Sequence, residues 1–312
     1  MIGRIVEVAD DRRHLFASRG FMVVQDTEGD RRELGQVPLD DIAAVIANAH
    51  GLSYTNNLLV ALAERKAPFV LCGSNHNAIG MLWPVEGNFQ QAKRFDAQIS
   101  AARPVHKRLW AEVVRCKLNQ QAAALEAVGA PVAPLAALIS KVRSGDPENV
   151  EAQGAKRYWG LLFGSEFRRD QDGSEINALL NYGYTVLRAA TARAVIAAGL
   201  HPTLGLHHSN EGNPMRLVDD LMEPFRPVVD LHVWRLAQGG ETSVDPDTKR
   251  SLVRTLYDDM QTNSGATPVM VCLQRLATSL AQVYLGEREK LDLPFPGLPL
   301  SMAADIANEE SC

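Results

Sequence analysis

A change in hydrophobic periodicity near residue 100 constrains the fold more than any other feature of this sequence. Before residue 85, short apolar runs bounded by turn residues predict β-strands. These strands are expected at 4–8, 20–25, 42–46 and 68–72, with one helix at about 54–65. After Pro104, apolar residues recur at spacings of three and four, as in helices that pack on a core. The helices are expected at about 109–128, 174–198, 247–262 and 268–287.

This pattern predicts an α+β protein in which a small β-rich N-terminal domain is followed by a larger all-α domain. We expect four segments, which are a β-rich domain at 1–85, a polar linker at 86–100, an α-helical domain at 101–290 and a Pro-containing tail at 291–312. The tail is predicted to be a surface strap or disordered.

The composition indicates a soluble globular chain, with 46% apolar and 22% charged residues. No run of eighteen apolar residues occurs, so we expect a cytoplasmic protein with no membrane segment. The four cysteines lack metal-binding spacing, and we expect reduced thiols rather than disulfides or a zinc site. They are Cys72, Cys116, Cys272 and Cys312.

The charge is unevenly distributed. The whole chain has a net charge of −5, which argues weakly against an obligate nucleic-acid binder. Residues 91–169, however, contain thirteen Lys and Arg against seven Asp and Glu, so this window has a surplus of six positive charges. Such asymmetry permits a basic groove on an acidic protein. It is equally compatible with helix faces that are simply solvated.

The most informative motif combines imidazoles with carboxylates in one short span. His207 and His208 follow Gly205, and Asp219 and Asp220 precede Glu223 by four and three residues. On a helix, at least one of these aspartates shares a face with Glu223, where like charges repel. A cation, an arginine or protonation can relieve this repulsion, and a hard divalent metal would also supply chemistry.

A second carboxylate cluster, at 146–151, begins another predicted helix. Asp146 is expected to cap it, with Pro147 in the first helical position. Glu148 and Glu151 could then be present only because carboxylates interact favourably with the positive end of the helix dipole. Glu151 is the less easily dismissed of the two, because Gly154 and Ala155 leave room on its face for a backbone or a ligand.

A structural interpretation of both clusters is also open. Tandem histidines point in different directions, so at most one of His207 and His208 faces a common site. Arg216 and Arg226 could form ion pairs with the acidic residues near 220, which would make that cluster structural.

Taken together, four segments of the sequence resemble the CRISPR adaptation integrase. The segments are EAQGAKRYWGLLFGSEFRRD at 151–170, NALLNYGY at 177–184, GLHH at 205–208 and DDLMEPFRPVVD at 219–230. Their order and spacing are most similar to the branch found beside single-protein RNA-guided effector nucleases, in type II systems. The resemblance extends over about residues 1–235 and agrees with the β-rich and then helical layout.

The resemblance implies a divalent-metal site. It places the metal ligands at Glu151, at His208 rather than His207, and at Glu223, where other branches often have Asp. Those branches carry another acid three residues earlier, and Asp220 is therefore expected to assist catalysis. His207 is expected at most to contact one of the metal ligands, and not to bind the metal itself. Two carboxylates and an imidazole suit Mg²⁺ or Mn²⁺ better than zinc.

The implied activity is metal-dependent DNA integration and endonuclease cleavage, with no protein nucleophile. Attack by water would nick DNA, whereas attack by the 3′-hydroxyl of a captured fragment would join it to the CRISPR repeat. The expected partners are double-stranded DNA, a second copy bound through the N-terminal domain, a small ferredoxin-like CRISPR adaptation protein and the RNA-guided effector nuclease. Lys156 and Arg157 are the nearest candidates for DNA backbone contacts, although they could point away.

Two rival functions remain open on the sequence alone. The chain could be a non-catalytic DNA-binding assembly scaffold whose acidic cluster is neutralised by Arg216 and Arg226. It could also be a plain metal-dependent DNase that cuts DNA without joining it.

Overall fold

The structure is a computed structural model that describes residues 4–28, 31–49, 51–73, 78–297 and Pro299. Its N-terminal elements are β1 (Arg4–Val8), β2 (Arg13–Ser18), β3 (Phe21–Asp26), β4 (Glu33–Pro38), β5 (Ile42–Ala47), β6 (Leu52–Tyr54), α1 (Asn56–Glu64), β7 (Phe69–Cys72) and β8 (Ala78–Leu82). The four predicted strands and the predicted helix are all present. The sequence pattern missed β2, β4, β6 and β8. For example, β4 has no buried side, so it lacks the alternation that marks a half-buried strand.

The N-terminal strands form two four-stranded sheets. The first has the order β1-β5-β7-β8, in which β1, β5 and β7 are parallel and β8 is an antiparallel edge strand. The second has the order β4-β3-β2-β6, in which β2, β3 and β4 are antiparallel and β6 runs parallel to β2.

Strand β5 connects the two parts of the protein because both of its faces are buried. Ile42 and Val45 pack in a cluster with Leu15 of β2 and Leu58 of α1. Ala43, Ala44 and Ile46 instead join the large core formed with the helices. A strand covered on both faces is expected to be a continuous apolar run, as this one is. The β-rich and helical parts therefore share a core.

The C-terminal part is mostly helical. Its elements are α2 (Gln91–Ser100), α3 (Arg103–Ala127), α4 (Ala133–Ile139), α5 (Val150–Leu162), α6 (Ile176–Ala197), α7 (Arg216–Met222), α8 (Arg226–Gln238), α9 (Pro246–Arg254), β9 (Asp259–Thr262), β10 (Gly265–Pro268) and α10 (Val269–Tyr284). Helix α6 is buried along most of its length and packs against α7, α8, α9, α10 and β5. This mixed arrangement confirms the predicted α+β class.

The hairpin β9–β10 is a departure from an all-helical second part. The predicted helix at 247–262 ends at Arg254, and β9 follows after a 3-10 turn. The strand pairs antiparallel with β10 across a turn in which Gly265 has a φ of 85°. Within β9, Met260 and Thr262 are buried and Gln261 is exposed. This alternation and the Asn-Ser-Gly turn outweigh the helical spacing of the preceding residues.

The predicted linker and the described part of the predicted tail both make specific contacts with the rest of the protein. The predicted linker at 86–100 includes α2, where the Gln98 side chain donates to the carbonyl oxygens of His201 and Leu204 at 3.1 and 2.9 Å. In the described part of the tail, Leu291 is buried and the Phe295 backbone N–H donates to Gln261 at 2.9 Å. The boundaries of the four segments stay a prediction.

Three of the four cysteines lie within the described residues. Cys72, Cys116 and Cys272 are buried free thiols, and Cys312 lies outside the described residues. Among the helices of the described ranges, none is long and apolar enough to cross a membrane.

Helix α5 approaches α3 closely because Gly154 has no side chain. A Cβ atom at this position would lie well inside contact distance of Leu118 Cδ2, and Leu118 is fully buried. Gly160, two turns later on the same helix, has no atom within 4 Å of the corresponding position. The small residues that the sequence places after Glu151 therefore serve the packing of α5 on α3.

We expect Gly154→Ala to lower the free energy of unfolding by about 1–3 kcal/mol, because the methyl group overpacks the contact with Leu118. Gly160→Ala is the matched control and should raise this free energy by about 0.5–1 kcal/mol through helix propensity alone. Urea unfolding of both variants measures the difference. Equal stabilisation by both alanines would contradict the close approach of α5 to α3.

Candidate metal centre

Glu151 lies in the first turn of α5, and the preceding loop fixes its position. The helix begins at Val150, after Asn149 in a left-handed conformation with φ 51°. The Asp146 carboxylate accepts the backbone N–H groups of Val150 and Glu151, each at 2.9 Å. The Asp146 side chain therefore satisfies the first N–H groups of the helix, but the N-cap residue is Asn149, so the prediction of Asp146 at the N-cap position was wrong. The placement of Pro147 at the first helical position was wrong, because left-handed Asp146 and Asn149 insert a turn before the helix.

Glu223 begins the short 3-10 turn, Glu223–Phe225, that joins α7 to α8. Its side chain is only 6% exposed. Arg226 is one turn further along, with its Nε atom 3.2 Å from Glu223 Oε1. A buried carboxylate needs such a partner, because removal from water disfavours its charged form.

Lys117 of α3 brings Glu151 and Glu223 together. Its ammonium group forms ion pairs with Glu151 Oε1 and with Glu223 Oε2, the latter at 2.5 Å. The Lys117 side chain is 7% exposed. Glu223 Oε2 accepts no hydrogen bond of acceptable geometry, so its contact with Lys117 is a charge contact. Two carboxylates from distant parts of the sequence thus share one buried cation.

The charges of this cluster shift the pKa values of its members. Burial would raise the pKa of Glu223, but Arg226 and Lys117 outweigh burial and lower it. Burial would lower the pKa of Lys117, but Glu223 and Glu151 outweigh burial and raise it. The cluster therefore favours an ionised Glu223 and a protonated Lys117.

His208 and Asp220 form the other half of the candidate site. The fully buried Asp220 carboxylate contacts His208 Nδ1 at 2.5 Å. It also accepts the backbone N–H groups of Leu206, His207 and His208, at 2.6, 3.1 and 3.3 Å. Asp220 therefore holds the Gly-x-x-His turn in shape and fixes the ring of the last residue.

This contact determines which nitrogen of His208 can bind another group. A neutral ring that donates its Nδ1 proton to Asp220 keeps its lone pair on Nε2. The hydrogen bond with Asp220 raises the pKa of His208, although burial opposes it. Carboxylate-oriented imidazoles of this kind are common behind metal ligands. Asp220 thus acts as a positioning residue for His208.

The predicted site residues are only partly brought together. Within the ranges that the structure describes, no three His, Cys, Asp or Glu side chains lie close enough to hold a metal ion. Glu151 and Glu223 meet at Lys117, whereas His208 meets Asp220. The two halves interact electrostatically, because His208 contributes to the lowered pKa of Glu223. The assignment of Glu151, His208 and Glu223 as metal ligands stays a prediction.

The His207 ring packs against a tryptophan of α3. It stacks on Trp110, with centroids 4.4 Å apart and an interplanar angle of 1°. Burial lowers the pKa of His207, which favours a neutral ring. Trp110 also meets the His208 ring edge to face, at 5.7 Å. The rings of both histidines therefore pack on Trp110, whereas the hydrogen bond from an imidazole nitrogen to Asp220 belongs to His208.

Arginine neutralises part of the acidic cluster, but the pairing differs from that expected. Arg226 pairs with Glu223, as the structural interpretation supposed. Asp219 is bound by Arg188 of α6, whose Nε atom is 2.8 Å from Asp219 Oδ1. Arg216 instead donates its Nε proton to the carbonyl oxygen of Thr203 at 2.9 Å. The arginine partners of the cluster therefore come from α6 and α8.

A buried tyrosine and aspartate pair lies close to these charges. Tyr184 of α6 donates its hydroxyl proton to Asp230 Oδ1 at 2.5 Å, and its ring contacts the Arg226 guanidinium at 4.8 Å. Burial raises the pKa of Asp230 to about 7, although Tyr184 and Arg226 oppose the shift. This interaction fixes the start of α8 beneath Glu223.

The cations of the basic window are mostly on the surface. Ten of the thirteen Lys and Arg at 91–169 are exposed, against four of the seven Asp and Glu. Lys156 and Arg157 are both exposed, and Arg157 also donates to the Pro134 carbonyl oxygen at 2.9 Å. The window therefore contributes a positively charged surface on α2 to α5.

Sequence reasoning missed Lys117 and Trp110 as members of the site. Lys117 is the only charged residue among the buried residues of α3, which the structure describes throughout. A lone lysine on the apolar face of a helical pattern was a signal that could have identified it. No comparable signal marked Trp110, because aromatic residues on such a face are usually core.

The residues present fit a hard divalent cation. Glu151 and Glu223 already bind one cation between them, the Lys117 ammonium. Glu223 Oε2 accepts no hydrogen bond and is therefore an oxygen donor that a metal could use. Oxygen donors with one oriented imidazole are typical ligands of Mg²⁺ and Mn²⁺. The donor set lacks the thiolates and clustered imidazoles of a closed zinc site.

Comparison with known proteins supplies independent findings. A family model described as CRISPR associated protein Cas1 matches residues 7–254. The CRISPR-associated endonuclease Cas1 of Neisseria meningitidis serogroup C (strain 8013) is 37% identical over 263 residues, which cover 83% of this chain and 86% of that protein.

Two solved structures have a similar fold. A casposase bound to its integration product has a TM-score of 0.79 at 20% identity, and covers 93% of this chain and 92% of its own. A Cas6-RT-Cas1–Cas2 complex has a TM-score of 0.75 at 17% identity, and covers 95% of this chain and 36% of its own.

We expect Asp220→Asn to lower the pKa of His208, because the substitution removes the charge that favours the protonated ring. In the wild type, because the pKa of His208 is raised, the His208–Asp220 pair contributes its full stabilisation of the folded state at pH values below 6.5, the ordinary pKa of histidine. The contribution is lost as the pH rises through the raised pKa. NMR titration of the imidazole nitrogens in EDTA measures the change. Asp219→Asn is the matched control and should shift the pKa less, since Asp219 pairs with Arg188; equal shifts would contradict the role of Asp220.

Proposed function

The chain belongs to the Cas1 family, and from this premise we propose that it is a divalent-metal-dependent DNA integrase and endonuclease. In this role it inserts captured DNA fragments into a CRISPR array. The 3′-hydroxyl of the fragment attacks a phosphodiester at the edge of a repeat. The observation that supports this proposal is the convergence of Glu151 and Glu223 on one buried cation, beside a histidine oriented by Asp220.

The chemistry requires only a metal and positioned DNA. Bound Mg²⁺ or Mn²⁺ would polarise the phosphodiester, favour deprotonation of the attacking hydroxyl and stabilise the charge of the displacement. Glu151, Glu223 and the Nε2 atom of His208 are the groups that would hold it. Asp220 keeps the imidazole lone pair available, and Arg226 keeps Glu223 ionised.

Covalent catalysis by cysteine is disfavoured for the described thiols. Burial raises the pKa of Cys72, Cys116 and Cys272 to about 12 in each case. Thiols with such pKa values are inert as nucleophiles at neutral pH. Direct attack by water or by a DNA hydroxyl agrees with this.

DNA binding would depend on phosphate contacts, as expected for fragments of arbitrary sequence. The exposed cations of α2 to α5 supply a basic surface. In addition, a cavity of about 660 Å³ is lined by Arg169, Arg188, Arg226 and Tyr184 among others. Because Arg226 also contacts Glu223, this cavity adjoins the candidate metal centre.

The proposed assembly includes a second copy of the chain and a small ferredoxin-like CRISPR protein. Joining both ends of a fragment needs two active sites. The last two strands of the first sheet, β7 and β8, and the segment after them carry exposed apolar side chains that suit such an interface, and these are Leu71, Ile79, Leu82, Val85 and Phe89. The likeness to a Cas1–Cas2 complex supports a partner protein. Association with the RNA-guided effector nuclease stays part of the proposal.

One observation favours the rival scaffold function. Lys117 and Arg226 neutralise Glu151 and Glu223 without any metal, as a purely structural cluster would. A scaffold would bind DNA and its partner but would process no DNA. A plain DNase would cut DNA without joining it.

We expect Glu151→Gln to reduce strand transfer at least about 100-fold, because the variant loses a metal ligand and keeps the shape of the side chain. The assay combines purified protein, its small partner, a short duplex and a supercoiled repeat plasmid, in Mn²⁺ or in EDTA. Glu148→Gln is the matched control, since Glu148 is exposed and pairs only loosely with Arg143 at 3.7 Å. His208→Ala should behave as Glu151→Gln does.

A duplex with dideoxy 3′ ends distinguishes the rival functions in the same assay. Joining that needs the 3′-hydroxyl supports integration, whereas metal-dependent cutting alone supports the plain DNase. Undiminished joining by Glu151→Gln would refute the assigned site. Inactivity of the wild type in Mn²⁺, with the protein folded and bound to DNA, would favour the scaffold.

A further inference from the structure

Lys117 is a charged side chain in a position where an apolar one would be expected. It is the only charged residue among the buried residues of α3, and its side chain is 7% exposed. Its neighbours Val113, Val114 and Leu118 belong to the core. Burying an ammonium group is costly unless its partners compensate fully. A residue kept at such a position therefore requires an explanation beyond packing.

The contacts of Lys117 involve three elements of the site. Its ammonium reaches Glu151 of α5 and Glu223 of the turn between α7 and α8, while its backbone belongs to α3. Without this lysine, Glu151 would lose the only ion-pair partner that the described residues provide for it. Glu223 would keep Arg226. Lys117 is thus the cation that permits the two carboxylates to approach each other.

The charges at this point balance without a metal. Glu151 and Glu223 carry two negative charges, and Lys117 and Arg226 carry two positive ones. Of the neighbouring acids, Asp219 pairs with Arg188, whereas the neutral His208 ring that metal binding requires adds no positive charge beside Asp220, so one negative charge remains there. A divalent cation added to this centre would therefore leave an excess of positive charge.

We infer that Lys117 is a resident cation that holds Glu151 and Glu223 together and competes with the divalent metal for them. It makes tight metal binding depend on DNA, because a phosphodiester group supplies the negative charge that the loaded centre lacks. The inference rests on the proposed function. It adds that Lys117 is a positioning residue and that metal and DNA bind cooperatively.

This coupling follows from linkage. If DNA strengthens metal binding by a given factor, the metal strengthens DNA binding by the same factor. Removing the positive charge at 117 relieves the competition, so the metal should bind more tightly in the absence of DNA. The gain from added DNA should shrink accordingly, since the loaded centre then carries less excess charge.

The test measures Mn²⁺ affinity by electron paramagnetic resonance of the free ion, with and without a duplex that has dideoxy 3′ ends. Lys117→Met, which removes the charge and keeps an unbranched side chain one atom shorter, should bind Mn²⁺ about tenfold more tightly than the wild type without DNA. Lys117→Gln provides a second neutral side chain. Lys117→Arg keeps the charge and should resemble the wild type, as should Lys107→Met, an exposed lysine on the same helix.

Each outcome decides the inference. Tighter Mn²⁺ binding and reduced coupling in both neutral variants support it, as does folding of these variants only when Mn²⁺ is present. Unchanged or weaker affinity in both neutral variants overturns it, and so does their failure to fold in saturating Mn²⁺. If the wild type binds no Mn²⁺ with or without DNA, the proposed metal centre itself fails, which is distinguishable from a failure confined to Lys117.

Discussion

The charge contact of Lys117 with Glu151 and Glu223 is the interaction on which the candidate site depends. It joins α3, α5 and the turn after α7, which are separated widely in the sequence. Gly154 allows α5 to approach α3, and the buried α6 supports α7 and α8 from behind. Packing of the helical core therefore determines the distance between the two carboxylates. The same packing keeps the two carboxylates largely out of water. Their attraction to a cation is therefore stronger than it would be in solvent.

The histidine half of the site is organised by a single buried carboxylate. Asp220 binds three consecutive backbone N–H groups and the His208 ring, so the turn and the imidazole have one orientation. A preorganised ligand loses little conformational entropy when it binds. Lys117 and Arg226 supply the corresponding preorganisation for the carboxylates. The ligands are thus oriented before any metal binds. Because Lys117 and Arg226 also neutralise the two carboxylates, the same geometry is compatible with a purely structural cluster.

The sequence predicted the layout and the chemical types of the site better than its geometry. Apolar periodicity located the main helices, and the spacing of Glu151, His208 and Glu223 carried the resemblance to a family. The only sequence signal for Lys117 is a lysine on the apolar face of α3, and this signal does not identify its partners, which lie in other elements. Strand β9 was predicted as the end of a helix and β10 was not recognised, because strands of four residues carry too little alternation to be identified from the sequence alone. Likewise, the two left-handed residues before α5 are a local choice that Asp-Pro alone does not specify.

The central claim is that Glu151, His208 and Glu223 bind one divalent metal ion. The most direct measurement is anomalous scattering from crystals of the protein grown with DNA and soaked in Mn²⁺, at a wavelength where manganese scatters anomalously. We expect one strong peak in contact with carboxylate oxygens of Glu151 and Glu223 and with Nε2 of His208, and a displaced Lys117 ammonium. Absence of a peak there, or a peak elsewhere with Lys117 still bridging the two carboxylates, would contradict the claim.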